Sequence, residues 1–211
     1  MSAEDRLRWD AKYRQQLEAE PAGGRRDDRP EWILSRARSI AAEVAPNRGS
    51  DGDRPLRALD LACGPGSLAL ALATECGFTV DGVDVSSVAI ATATDAAREA
   101  GASATFLAAD LDTWRPGKSE YDLIVVHRFL DRVHLPVWIP TALRPGGHLL
   151  YGTFLVATAA AGETSGPQNP AYRLQPGELA RLYGTLEIVE SVEEPQSAFA
   201  WLHARRSTKT D

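Results

Sequence analysis

Residues 56–67, L-R-A-L-D-L-A-C-G-P-G-S, constrain this chain more than any other part of it. A short apolar run enters a turn holding Gly64 and Gly66, and a helix-forming stretch, 67–76, leaves it. The glycines permit a tight turn and let backbone approach a ligand closely, while the first N–H groups of the helix stay free to donate. The plainer alternative is a turn that only packs strand against helix.

The pattern then continues in kind. Apolar runs at 56–61, 78–85, 105–109, 121–126 and 148–154 read as strands. Helical stretches fall at 67–76, 86–100, 134–143 and 176–183, with Ser86 as an N-cap and Gly77, Gly101 and Gly184 just past helix ends. Two last strands, 186–192 and 199–204, are close enough for a hairpin. The expected fold is α/β: a Rossmann-like, doubly wound sheet of about seven strands, mostly parallel with an antiparallel C-terminal hairpin. Such sheets bind ligands at the carboxyl ends of their strands. The chain of 211 residues suits a single domain, with the cofactor-binding sheet in 56–206 and N-terminal helices within 1–45. Residues 18–30, charged and glycine-containing, read as a mobile loop. Trp9, Tyr13 and Leu17 form an i, i+4, i+8 stripe on a helix over 5–17. A helix that short is marginal alone. Its stripe either docks permanently on the core or closes as a lid over the ligand.

Three acids carry the chemistry. Asp84 ends the second strand about 20 residues after a turn in which Gly64, Gly66 and Ala69 satisfy G-x-G-x-x-[G/A]. That combination reads as a site for a nucleoside with a ribose diol, and a nicotinamide dinucleotide is one candidate. Asp60 argues otherwise. It lies inside the first strand, where a carboxylate repels a pyrophosphate but attracts a ligand bearing a cationic amino group. A structural acid bonded to backbone is the other reading. Asp110, just past the third strand, can accept from an exocyclic adenine N–H; Asp112 competes for that role.

LDLACGPG, VDGVDVS, AADL, YDLIVV and LRPGGHLLYGTF resemble, in order, the motifs of class I S-adenosylmethionine-dependent methyltransferases. More narrowly, Trp9-Asp-Ala-Lys-Tyr13, the Arg128-Phe-Leu-Asp-Arg132 segment and the stretch 169–179 resemble bacterial tellurite-resistance-type methyltransferases. The last turn departs from that group: it reads Glu193-Glu-Pro-Gln-Ser197, without the group's His-Arg pair. The resemblance implies S-adenosylmethionine as cofactor. Asp60 would hold its amino group, Gly64 and Gly66 its methionine portion, and Asp84 its ribose. Val85 would pack on adenine, Asp110 and Leu111 would read the adenine edge, and Leu61, Ala62, Tyr13 and His127 would complete the set. His127 would also be the nearest candidate base, unless it only caps its strand. Trp9, Arg128 and Arg132 would face the acceptor; a salt-bridged surface is the alternative for both arginines. No metal is expected.

Charge and composition narrow the partners. The net charge of −6 argues against a phosphate-backbone partner and for a small-molecule acceptor. The N-terminus lacks the apolar region of a secretory signal, and two cysteines are too few for a disulfide framework. A cytoplasmic protein outside the membrane is expected. Two rival functions remain: a module that binds the cofactor without transferring from it, and a nicotinamide-dependent oxidoreductase.

Overall fold

The computed structural model describes residues 3–19, 29–45, 54–156 and 166–208. The chain divides into two compact units, Met1–Arg115 and Pro116–Asp211.

The first unit holds α1 (Ala3–Ala19), α2 (Glu31–Val44), β1 (Leu56–Leu61), α3 (Ser67–Cys76), β2 (Phe78–Asp84), α4 (Ser87–Ala100) and β3 (Ala104–Ala108). β1, β2 and β3 pair in parallel, with Asp60 opposite Gly82 and Asp84 opposite Ala108. β1 is almost wholly buried because its Leu and Ala side chains meet α3, which is itself built of Leu and Ala. Ser86 caps α4, its hydroxyl accepting from the Ala89 N–H at 3.2 Å, and Gly101 ends the helix in a left-handed conformation. α2 packs on α3 through Ile33, Leu34, Ala37 and Ile40.

The second unit holds β4 (Tyr121–His127), α5 (Leu135–Ala142), β5 (Leu143–Phe154), a 3-10 turn (Pro170–Tyr172), α6 (Glu178–Leu182), β6 (Glu187–Glu194) and β7 (Phe199–Arg205). β4 and β5 run parallel, whereas β7 pairs antiparallel with both β5 and β6. Asp131 holds the turn that leads into α5, accepting from the N–H groups of Val133 and His134. Asp122, buried in β4, pairs with Arg144 at 3.0 Å. Between β5 and β7, His148 Nδ1 lies 2.9 Å from His203 Nε2, and the buried Nε2 of His148 has no partner. The seven strands make one mostly parallel sheet with an antiparallel C-terminal hairpin, as the strand–helix alternation predicts.

Differences from the sequence expectation are local. β5 starts at Leu143 rather than 148, because Leu143 already pairs with Tyr121; the Pro-Gly-Gly stretch, with Gly146 at φ of 78°, is an irregularity before His148 pairs with Leu123. α6 is shorter than 176–183, its entry taken up by Gly177 in a left-handed conformation. α1 is longer than expected, and its stripe is incomplete: Trp9 and Tyr13 are half-buried, but Leu17 is exposed. Of the expected mobile loop 18–30, residues 20–28 lie outside the described residues. Among the described residues, no helix is long and apolar enough to cross a membrane.

Candidate cofactor site

The site is built where β1 ends. Ala62 leaves the strand with φ of 56°, a left-handed conformation that a non-glycine residue holds only under tertiary constraint. Cys63 donates its N–H to the Val83 carbonyl at 3.1 Å, which fastens the turn to β2. Gly64 and Gly66 follow with φ of 53° and 81°. A Cβ on Gly66 would meet the Ala93 Cβ at 2.7 Å and the Phe106 ring at 3.0 Å. Gly66 therefore lets α3 start close against α4 and β3. A Cβ on Gly64 would instead meet the Tyr13 hydroxyl at 2.8 Å, so α1 covers this part of the turn.

Asp60 and Asp84 stand on adjacent strands beneath the turn, and both are buried. The Asp60 carboxyl bonds to the Ala69 N–H at the start of α3, but its Oδ2 has no partner. Burial, and then the neighbouring Asp84, push its pKa up to about 8. Asp84 is differently served. Its Oδ2 accepts the Gly64 N–H at 2.9 Å and its Oδ1 the Ser86 N–H at 2.8 Å. Burial pushes its carboxyl up too, and these backbone bonds pull against that. The Cys63 thiol is held well above its usual range by burial and by both aspartates, so it is no thiolate nucleophile. Tyr13 is likewise held un-ionised by burial and by Asp84.

Leu61, Val85 and Leu111 are buried. Asp110 lies two residues past β3, and its Oδ1 accepts the Asp112 N–H at 2.9 Å in a local turn. The structure thus brings Asp60, Leu61, Ala62, Gly64, Asp84 and Tyr13 together in the first unit. Trp9 sits on α1 stacked on Tyr13, ring centres 5.8 Å apart, with Lys12 Nζ over its face.

In the second unit, His127 ends β4, half-buried, its ring 5.9 Å edge-on from that of Phe199. Arg128 is exposed, with φ of 59°, and its N–H bonds to the Gly152 carbonyl. Arg132 is committed to structure. Its guanidinium makes a two-point ion pair with Glu178, at 2.6 and 3.1 Å, and donates to the carbonyls of Ala171 and Arg173. The salt-bridged alternative describes it better than an acceptor clamp does.

Sequence reasoning missed Asp10. This acid is buried on α1 and accepts from the Ser86 hydroxyl and the Val88 N–H. The usable signal was its place in Trp9-Asp-Ala-Lys-Tyr13, three residues before Tyr13 and so on the same helix face.

Comparison with known proteins agrees with this geometry. Residues 58–147 match the family described as a methyltransferase domain. A 27-O-demethylrifamycin SV methyltransferase of Amycolatopsis mediterranei is 32% identical over 137 residues, covering 59% of this chain and 50% of that protein. The chain thus spans half the length of that curated relative. A TehB-like SAM-dependent methyltransferase from Corynebacterium glutamicum superposes with a TM-score of 0.64 at 19% identity, covering 95% of this chain and all of that one. The magnesium protoporphyrin IX methyltransferase of Synechocystis, solved with bound S-adenosylhomocysteine, gives 0.61 at 18% identity, over 96% and 98% of the two chains.

The fold is one that methyltransferases of known structure share, and residues 58–147 match a methyltransferase domain. The unpartnered buried Oδ2 of Asp60 is chemically suited to S-adenosylmethionine, because the amino group of that molecule would supply the cationic donor this oxygen lacks.

Proposed function

We propose that this chain transfers a methyl group from S-adenosylmethionine to a small-molecule acceptor by in-line displacement. The observation that carries the reading is Asp60: a buried carboxyl at the end of β1, one oxygen unpartnered, beside a second buried carboxyl already held by two backbone N–H groups. In this reading Asp60 receives the amino group and Asp84 the ribose hydroxyls. The Gly64–Gly66 turn offers its backbone to the methionine portion, Val85 and Leu111 flank the adenine, and Asp110 bonds its edge. Tyr13 closes the turn against water.

The bound cofactor supplies a methyl on a sulfonium, a leaving group already activated. The chain's own task is then to align the acceptor and keep the site dry. His127 takes the acceptor's proton if the acceptor arrives protonated. The acceptor class is supported by the net charge and by relatives named for rifamycin and porphyrin substrates. The free Cys63 and Cys76 suit a reducing cytoplasm.

Calorimetric titration with S-adenosylmethionine, S-adenosylhomocysteine, NAD and NADP tests the site. Micromolar binding of the first two and none of the nicotinamides is expected; tighter NAD binding overturns the reading. Incubating metabolite pools with methyl-labelled cofactor tests the transfer. Labelled product supports it, and cofactor binding with no product from any pool leaves a binding module instead.

A further inference from the structure

Asp10 has no role in the reaction just described, yet it is one of the few buried acids among the described residues. Its Oδ1 accepts from the Ser86 hydroxyl and from the Val88 N–H at 3.3 Å, and its Oδ2 from the Ser87 hydroxyl at 3.4 Å. Burial works against its ionisation. The Ser86 and Val88 bonds with the nearby Arg14 outweigh that, so its pKa sits below the usual carboxylate value.

Asp10 supplements the cap of α4 by taking the Val88 N–H. Ser86 already caps that helix locally through the Ala89 N–H. What Asp10 adds beyond the cap is a fixed position for α1, a helix otherwise poor in buried apolar side chains. One turn along the same face, Tyr13 places its hydroxyl against Gly64. The two contacts meet through one carboxylate: Asp84 accepts Ser86 N–H on one oxygen and Gly64 N–H on the other. Asp10 thus grips the residue that holds one side of Asp84, and Tyr13 covers the residue that holds the other.

We propose that Asp10 is a positioning residue for cofactor binding: it latches α1 to the β2–α4 turn, so that Tyr13 stands over Gly64 and Asp84 keeps the orientation its ligand needs. The inference rests on reading the β1 turn as the S-adenosylmethionine site. It assigns α1 to the binding machinery through a hydrogen-bonded latch rather than through an apolar stripe.

The test is a double-mutant cycle on S-adenosylhomocysteine affinity in the full chain, with melting temperature recorded for every variant. Asp10→Ala weakens binding by about tenfold, the scale of lost hydrogen bonds to a charged group. Asp10→Asn recovers most of that, because its amide oxygen still accepts from Ser86. Tyr13→Phe weakens binding in the wild-type background and has no further effect in Asp10→Ala. Wild-type affinity in Asp10→Ala alongside a lowered melting temperature overturns the proposal, as does strict additivity of the two substitutions. If Asp10→Ala does not fold, Asp10→Leu, which keeps the side-chain volume but accepts no hydrogen bond, is crossed with Tyr13→Phe and gives the same decision. A wild-type chain that fails to bind S-adenosylhomocysteine would instead sink the reading of the site itself.

Discussion

The end of β1 and the end of β4 occupy corresponding places in their units, but they spend their polar groups in opposite ways. Around β1, a buried acid is left partly unanswered: Asp60 keeps a bare oxygen, beside an Asp84 that backbone N–H groups already hold. Around β4, charges are answered from within. Arg132 is closed on Glu178, Asp131 on the N–H groups of the turn before α5, and Asp122 on Arg144. An uncompensated buried polar group costs free energy and persists where a ligand repays it; a compensated one serves the fold. The first region is therefore expected to respond to substitution in cofactor affinity, and the second in stability.

The largest effect belongs to the turn that makes the first region possible. Gly66→Ala forces a left-handed residue to carry a Cβ into Ala93 and the Phe106 ring. A loss of about 2–4 kcal/mol in urea unfolding is expected from strain and overpacking together. Unchanged stability would mean that the turn is looser than its geometry indicates.

Asp60→Asn sharpens the comparison through pH. With a pKa of about 8, the free carboxyl is mostly protonated at pH 7. A cationic amino group favours the carboxylate, so binding expels a proton and S-adenosylhomocysteine affinity rises from pH 6 towards 8. Titration in buffers of different ionisation heat measures that proton. The Asn variant binds about 1.5–3 kcal/mol more weakly and releases none. The sign for stability is the reverse. The folded carboxyl, raised above its unfolded value, holds its proton more tightly, so this group's contribution declines as pH rises towards 8, and Asn removes the decline.

Arg132→Ala gives the smallest effect and the sharpest contrast. Breaking the partly exposed pair with Glu178 lowers stability by about 1–2 kcal/mol and leaves S-adenosylhomocysteine affinity unchanged. A fall in affinity at constant stability would return Arg132 to the ligand.

These regions were also unequally legible. The β1 turn declared itself because glycines, an acid inside a strand and an acid at the next strand's end are each costly without a ligand. The alternation of strands and helices gave α3 its observed bounds and Ser86 its capping role. Arg132 was ambiguous because its partner Glu178 lies 46 residues away, beyond any local pattern. Asp10 was invisible for the same reason: an acid in the first half of a helix is ordinary, and only its distance from Ser86 in the chain makes the contact informative.

The two imidazoles clasped between β5 and β7 have a consequence of another kind, in which tautomer each ring must adopt. At 2.9 Å, only one of the facing nitrogens carries hydrogen. If His203 donated, His148 would bury an N–H at its unpartnered Nε2; a bare acceptor is cheaper to bury than an orphan donor. His148 is therefore the Nδ1–H form and donates to His203 Nε2, which makes His203 the Nδ1–H form as well. The one nitrogen left to take a proton from acid is then the sealed Nε2 of His148. Burial, His203 and Arg205 hold that protonation down to about 4. Because the unfolded imidazole accepts its proton near 6.5, the stability this ring contributes is complete above that value. It drains away as pH falls towards 4, which makes the seam of the terminal hairpin the acid-sensitive joint of the sheet.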